Sequence, residues 1–171
     1  MSNGLKDLKM IIGVIADTHI PSRAKELPEK LVNELRKVDL IIHAGDFVES
    51  EVLEMLEGIK KVEAVFGNMD EEQIKIKLPG TKIIELEGIK IGIVHGCDIC
   101  WDLNHRVPIN FKDEKLDCVV FGHTHVSKNE RIGDRLFFNP GSPTDEIFIS
   151  TKTFGILEIK NKKIEGRIIE L

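Results

Sequence analysis

The sequence lacks any apolar stretch approaching the ~20 consecutive residues that a membrane-spanning helix needs, so we predict no membrane association. It also lacks a long block of like charge, and its net charge is −5, which gives no indication of stable nucleic-acid binding. The opening residues, MSNGLKDLKM, contain no apolar segment of the kind that signal peptides carry, and we expect no signal peptide.

Cysteine is scarce, with Cys97, Cys100 and Cys118 as the three examples in 171 residues. An odd count in a chain of this length argues against a disulfide framework and favours a reducing compartment, so we predict a cytoplasmic protein. Cys97 and Cys100 form a C-x-x-C pair, but a zinc ribbon would need a second pair. A redox role is the less favoured interpretation, because the neighbouring His95 is itself a candidate metal ligand.

The chain shows no internal repeat, linker or low-complexity tract. We predict one domain over residues 1–171, with residues 1–9 as a short or flexible tail. The first half alternates buried strands with amphipathic helices, which indicates a parallel sheet with right-handed crossovers. Its strands are predicted at 10–16, 39–45 and 61–68, with one helix starting near Pro28 and a second ending at Gly58.

The second half is richer in strands. A further buried strand is predicted at residues 116–123, and residues 101–111 favour a short helix. Three hairpins are predicted, with turns at Glu87-Gly88, Gly133-Asp134 and Asn161-Lys162. Together the two halves indicate an α/β fold in which two sheets pack face to face with helices outside.

Polar residues follow nearly every buried strand at the point where it ends. Because ligands gather outside the carboxyl ends of strands in open α/β sheets, we expect these side chains to converge. The convergent set has two carboxylates, one amide and four imidazoles: Asp17, His19, Asp46, Asn68, His95, His123 and His125.

Seven ligands are too many for one tetrahedral site and suit two metal ions that share a carboxylate. Taken singly, a D-x-H occurs often by chance, G-D and G-N are common turn signals, and H-x-H is only suggestive. Their joint occurrence at successive strand ends favours the metal site. We expect His43, inside the second strand, to be a buried, hydrogen-bonded support, and His105 to lie on the surface or near substrate.

In this order the motifs resemble the signature of the calcineurin-like metallophosphoesterase superfamily, which is D-x-H, G-D, G-N, H-G and G-H-x-H. Here they stand as Asp17-Thr18-His19, Gly45-Asp46, Gly67-Asn68, His95-Gly96 and Gly122-His123-Thr124-His125. The stretches ADTH, HAGD, GNMD, GHTH and NPGS are most similar to the short single-domain phosphodiesterases of that superfamily. The resemblance implies a four-layer α/β/β/α sandwich of two packed mixed sheets.

The resemblance also implies how the ligands divide between two divalent ions. One ion would be held by Asp17, His19, Asp46 and His125, and the other by Asp46, Asn68, His95 and His123, with Asp46 bridging. Manganese is the first expectation, with nickel, iron, zinc or magnesium as alternatives. The ions would activate a bridging water, while Asn68 and His95 act as catalytic residues around the hydroxide and the transition state.

Three departures from the family pattern bear on the substrate. Larger members have a histidine, thought to protonate the leaving group, where this chain has Met69, so we assign no protein general acid. Short members often have H-G-H where this chain has Cys97, and the arginine often found near NPGS is absent. We expect Asn68 and Asp70 to contact substrate. Cys97 is a further candidate for substrate contact, as a soft neighbour of the metals, but a merely buried Cys97 is the favoured interpretation.

The predicted function is therefore hydrolysis of a small phosphodiester by a two-metal-activated hydroxide. The alternative is a non-catalytic protein-binding module on the same fold, like the retromer subunit. The complete set of seven ligand positions favours the enzyme. A nuclease role is disfavoured because the chain has no basic patch and no capping domain. An oligomer is compatible with the sequence.

Overall fold

The computed structural model describes residues 9–96, 111 and 114–171. The C-x-x-C pair of Cys97 and Cys100, His105 and nearly all of the expected helix at 101–111 lie outside the described residues. In chain order the strands are β1 (Lys9–Ile15), β2 (Leu40–His43), β3 (Val62–Ala64), β4 (Thr81–Leu86), β5 (Ile89–Val94), β6 (Cys118–Val120), β7 (Lys128–Ile132), β8 (Arg135–Asn139), β9 (Thr153–Lys160) and β10 (Lys163–Glu170). The helices are α1 (Glu29–Leu35), α2 (Ser50–Glu57) and α3 (Glu72–Lys77).

The first sheet has the strand order β10-β9-β1-β2-β3. Strands β1, β2 and β3 run parallel, as the alternation of strands and helices predicts, and the hairpin β9-β10 joins β1 antiparallel. Both faces of β1 are covered, because Ile12 and Val14 point to one cluster and Ile15 to another. This explains why the strand is a continuous apolar run.

The second sheet has the order β4-β5-β6-β8-β7, with β5, β6 and β8 parallel. The hairpins β4-β5, β7-β8 and β9-β10 turn where the sequence predicts. Glu87 and Gly88 have φ of 50° and 77°, and Asn161 and Lys162 have φ of 52° and 57°. These left-handed pairs match the twist that two-residue hairpin turns require.

All three described helices pack on the outer face of the first sheet. Leu31 and Leu35 of α1, Leu53 of α2 and Ile74 of α3 share one buried cluster with Ile15 of β1. The short helix α3 is not predicted from the sequence, because six residues with one buried side chain give no clear helical period.

The predicted α/β sandwich of two packed mixed sheets is confirmed. Its central layer is an apolar cluster in which β1 and β2 face β5, β6 and β8. Phe111 and Leu116 cover the far side of the second sheet, and the helix expected there falls outside the described residues. None of the described helices has the length and the apolar character that a membrane span needs.

Phe138 of β8 locks the two sheets together by lying against two glycines of the first sheet. A Cβ placed on Gly155 would come within 2.3 Å of its ring, and one placed on Gly166 within 2.5 Å. Phe138 is fully buried, so its ring has no open space into which to move.

We predict that Gly155→Ala lowers the free energy of unfolding by about 1–3 kcal/mol, because the new methyl overpacks against the Phe138 ring. Combining it with Phe138→Leu, which removes ring atoms, should cost less than the sum of the two single changes. Urea unfolding of the four proteins measures both effects. Strict additivity would contradict the contact. Gly58→Ala is the control for loss of a glycine, because Gly58 is exposed at the end of α2, its φ is −70°, and a Cβ there would lie 3.3 Å from its nearest neighbour, the carbonyl oxygen of Met55.

Candidate metal centre

The predicted ligands converge at one end of the sandwich, where loops from the two sheets meet. The loop that follows β1 (the β1 loop) is hydrogen-bonded to the loop that follows β2 (the β2 loop). The amides of Asp17 and His19 donate to the carbonyls of Gly45 and Asp46, both at 3.0 Å. The amide of Gly122, after β6, donates to the carbonyl of His95, after β5, at 2.9 Å. Loops that are distant in sequence are thereby held in register with one another.

Six of the seven side chains form two adjacent triads. In each triad, one potential ligand atom per residue lies within 4.8 Å of the others. The first triad is Asp17, His19 and His125, all buried, and the second is Asp46, His95 and His123, of which His123 is half-buried.

Asp46 lies between the triads. Its Oδ2 is 3.4 Å from Nε2 of His19 and 3.2 Å from Nε2 of His95. The seventh residue, Asn68, joins the second triad, with Oδ1 at 3.1 Å from both His95 Nε2 and His123 Nδ1.

The donor set suits divalent cations. In the first triad the Nε2 atoms of His19 and His125 point at one another, 3.1 Å apart. His125 Nε2 also lies 3.7 Å from Asp17 Oδ1. Imidazole nitrogens and carboxylate oxygens of this kind are ligands for Mn, Fe, Ni or Zn, and a shared carboxylate suits two ions. The residues therefore fit a pair of metal ions, although they do not select one element.

Five of these residues have left-handed backbones, which residues other than glycine rarely adopt. They are Asp17, His19, Asp46, His123 and His125, with φ between 44° and 69°. Gly67 allows the close approach of the Asp46 side chain, because a Cβ at that position would be 2.2 Å from its Oδ1. The loops thus aim the side chains inward at a conformational cost that surrounding contacts must offset.

Burial and mutual charge set the protonation of the first triad. Burial raises the pKa of Asp17 to about 7, against the opposing effects of His95 and His125. Burial lowers the pKa of His19 to about 4, although Asp46 acts in the opposite direction. Without a metal ion, Asp17 therefore holds a proton at mildly acidic pH while His19 stays neutral.

In the second triad, the contacts between Asp46 and His95 affect their pKa values more than burial does. Burial alone would raise the pKa of Asp46, but the hydrogen bond from His95 reverses the direction and lowers it. Burial alone would lower the pKa of His95, but the hydrogen bond to Asp46 and the charge of Asp17 raise it. Without a metal ion, these contacts favour the protonated form of His95.

His43 is buried and hydrogen-bonded, which confirms the prediction for this residue. Its Nδ1 accepts from the amide of Gly45 at 3.1 Å, and its Nε2 lies 3.2 Å from Thr18 Oγ1. The ring stacks on Phe47 with centroids 3.5 Å apart. His43 thus supports the β1 and β2 loops from beneath and lies outside both triads.

Asp70 differs from the sequence expectation of a substrate contact. Its carboxylate is buried and accepts hydrogen bonds from the amides of Gly67, Val48 and Asp46, at 2.7, 2.8 and 3.1 Å. It therefore braces the β2 and β3 loops, and it does not line the cleft above the triads. Cys97, the other candidate substrate contact, lies outside the described residues.

The NPGS stretch also acts as a brace. Asn139 donates from Nδ2 to the carbonyl of Gly122 at 3.1 Å, and Ser142 donates from Oγ to the carbonyl of Asp17 at 2.7 Å. These bonds tie the GHTH and DTH loops to the end of β8.

Sequence reasoning missed Asp145, a buried carboxylate beside the first triad. Its Oδ2 is hydrogen-bonded to Nδ1 of His125, the ring nitrogen that faces away from the triad. Its Oδ1 accepts from the amides of Ile147 and Phe148, at 2.8 and 3.3 Å. A carboxylate behind a ligating histidine fixes the ring and makes it a better donor.

An open cleft of about 790 Å³ lies above the triads. Ligand residues of both triads form its floor, while Arg23, Met69, Val126, Lys128 and Phe148 are among the residues of its walls. Arg23, in the loop after β1, is a cation that the sequence does not mark as part of the site.

Comparison with known proteins agrees with this geometry. The family model of the calcineurin-like phosphoesterase superfamily domain matches residues 10–162. The chain is similar to a probable metallophosphoesterase of Methanocaldococcus jannaschii, with 43% identity over 137 residues that cover 79% of this chain and 69% of that protein. It is similar to the solved structure of an archaeal phosphodiesterase, with 29% identity and a TM-score of 0.75 over 95% of this chain and 100% of that one. It shares its fold with vacuolar protein sorting 29 of Cryptosporidium parvum, at 23% identity and a TM-score of 0.77 over 96% and 99% of the two chains.

Metal binding should release protons in a pH-dependent way. At a pH of about 6, Asp17 and His95 hold protons that a cation must displace, whereas by about pH 8 Asp17 has already lost its own, so affinity rises and proton release falls as pH increases. Calorimetry of Mn²⁺ binding in buffers of different ionisation enthalpy counts these protons. Proton release that does not change over this range would contradict the assignment.

Asp145→Asn should weaken Mn²⁺ retention by about 10–100-fold, because an amide holds the His125 ring less firmly than a carboxylate does. Metal content after dialysis, together with calorimetry, measures the loss. Glu146→Gln is the matched control, since this exposed neighbour pairs with Lys152 outside the cleft. Equal metal retention in both variants would exclude a role for Asp145.

Proposed function

Because the chain belongs to the calcineurin-like phosphoesterase superfamily, we propose that it is a metal-dependent phosphodiesterase acting on small phosphodiesters. The observation that carries the proposal is the pair of triads joined by Asp46 at the floor of an open cleft. With a divalent ion held by each triad, such a floor would offer two positive centres to an anionic phosphoryl group.

The ligand assignment is part of this proposal. Asp17, His19, Asp46 and His125 would hold one ion, and Asp46, Asn68, His95 and His123 the other, with manganese as the first choice. When bound, the two ions supply Lewis-acid chemistry: they lower the pKa of water to give a nucleophile and neutralise charge on the phosphoryl oxygens.

The protein's own groups position the reacting atoms. His95 is held from behind by the carbonyl of Ala44, 2.7 Å from its Nδ1, so its Nε2 faces the second triad. The Oδ1 of Asn68 faces the same triad, which leaves its amide NH₂ to donate to a phosphoryl oxygen. Both residues are therefore proposed to stabilise the transition state.

Protonation of the leaving group is left to solvent in this proposal. Met69 is 55% exposed beside the cleft, and a thioether has no proton to donate. Asp70 is buried in backbone hydrogen bonds and faces away. Esters with good leaving groups should therefore react fastest.

The test is turnover of bis-p-nitrophenyl phosphate with Mn²⁺ or Ni²⁺ between about pH 6 and 9. Asp46→Asn should reduce kcat/KM at least about a hundredfold, because charge stabilisation worth several kcal/mol depends on both ions. Asp134→Asn, in the exposed β7-β8 turn, is the matched control and should leave the rate unchanged. No turnover with any divalent ion would instead favour a non-catalytic binding module on this fold.

A further inference from the structure

The walls of the cleft are apolar where the floor is polar. Met69, Val126 and Phe148 are exposed by 55%, 61% and 70%, although each is a large apolar side chain. They belong to the seven such residues that the described surface exposes, and all three line this one cleft. Exposed apolar side chains gathered around a polar floor are typical of a ligand site.

Phe148 stands beside the first triad. Its ring meets that of His125 edge-on, with centroids 6.2 Å apart. The guanidinium carbon of Arg23 lies over the same ring, 4.9 Å from its centroid. Because the ring remains mostly exposed, the guanidinium covers only part of it.

The position of Phe148 is held by the backbone as well as by Arg23. Its amide, together with that of Ile147, donates to Oδ1 of Asp145, whose other oxygen contacts His125. The loop that carries the exposed ring is therefore anchored to the metal centre through one carboxylate, and the ring has a defined place at the wall.

We propose that Phe148 and Arg23 form a subsite for a planar aromatic group carried by the phosphorus substrate. The proposal deepens the phosphodiesterase function and rests on it. With phosphorus above the triads, a ring esterified to it directly or through a sugar stacks on the open part of Phe148. Arg23, whose guanidinium lies over part of the Phe148 ring and which also lines the cleft, adds positive charge near the phosphate.

The composition of the wall favours an organic ester group over a bare phosphate. A phosphate monoester with only a small organic group would leave Met69, Val126 and Phe148 facing water. The cleft volume of about 790 Å³ also exceeds what a phosphate fills and lies within the range of small-molecule sites. A diester with one aromatic group uses both the floor and the wall.

Two pairs of phosphorus ligands test the subsite by calorimetry with the Mn²⁺-loaded protein. The first pair compares phenylphosphonate, whose ring is attached directly to phosphorus, with methylphosphonate. The second pair compares adenosine monophosphate, whose ring lies beyond a sugar, with ribose phosphate. We expect the aromatic member of at least one pair to bind about tenfold more tightly. The pair that shows the preference identifies whether the subsite accepts a ring attached directly to phosphorus or a ring attached through a sugar.

Phe148→Ala should abolish this preference, because the contact it removes is with the aromatic ring of the ligand. The affinity for methylphosphonate and ribose phosphate should stay within about twofold of the wild-type value. Arg23→Gln should weaken all four ligands. Ile147→Ala is the matched control, since this neighbour is 68% exposed and does not line the cleft.

The outcomes separate this subsite from the proposed function. Absence of an aromatic preference in both pairs, or a preference that Phe148→Ala retains, overturns the subsite even if diesters are hydrolysed. A preference that Phe148→Ala removes supports the subsite even if bis-p-nitrophenyl phosphate is not turned over, in which case the catalytic proposal alone fails.

Discussion

The burial of two carboxylates, Asp17 and Asp46, at the junction of the sheets is the constraint around which the rest of the structure is arranged. Neighbouring buried negative charges are costly unless cations or hydrogen-bond donors compensate for them. The amide of His123 donates to both oxygens of Asp17, and the amide of Met69 donates to Asp46. Imidazoles surround both carboxylates, and divalent ions would neutralise the remaining negative charge.

The braces around this centre are polar, which explains why they are so extensive. Left-handed backbones and tight loops do not hold themselves in place, so His43, Asp70, Asn139 and Ser142 each fix a loop by hydrogen bonds to its backbone. Residues that look like candidate substrate contacts in the sequence can therefore serve the architecture instead, as Asp70 does. The functional loops are thus supported by hydrogen bonds from residues of both sheets.

Much of the fold and of the centre could be predicted from the sequence, because both follow from local patterns. Buried strands are short apolar runs, hairpin turns have characteristic residue pairs, and the motif residues come directly after their strands. Arg23, Asp145 and Phe148 could not be found in this way. Asp145 reaches His125 from 20 residues away, and Phe148 and Arg23 are 125 positions apart, so only tertiary packing brings them together. The burial of Asp70 could not be predicted either, since the path of the loop places its carboxylate among backbone amides.

Asp145 makes two parts of the centre inseparable. One of its oxygens faces a metal-ligating histidine and the other caps the loop that ends in the exposed ring of Phe148. Loop grafting between relatives, as a route to new selectivity, would therefore have to carry this aspartate along with the ring. A loop transplanted without this aspartate would also change how His125 binds its metal ion. Substrate selectivity and metal chemistry in this scaffold are therefore expected to change together among relatives.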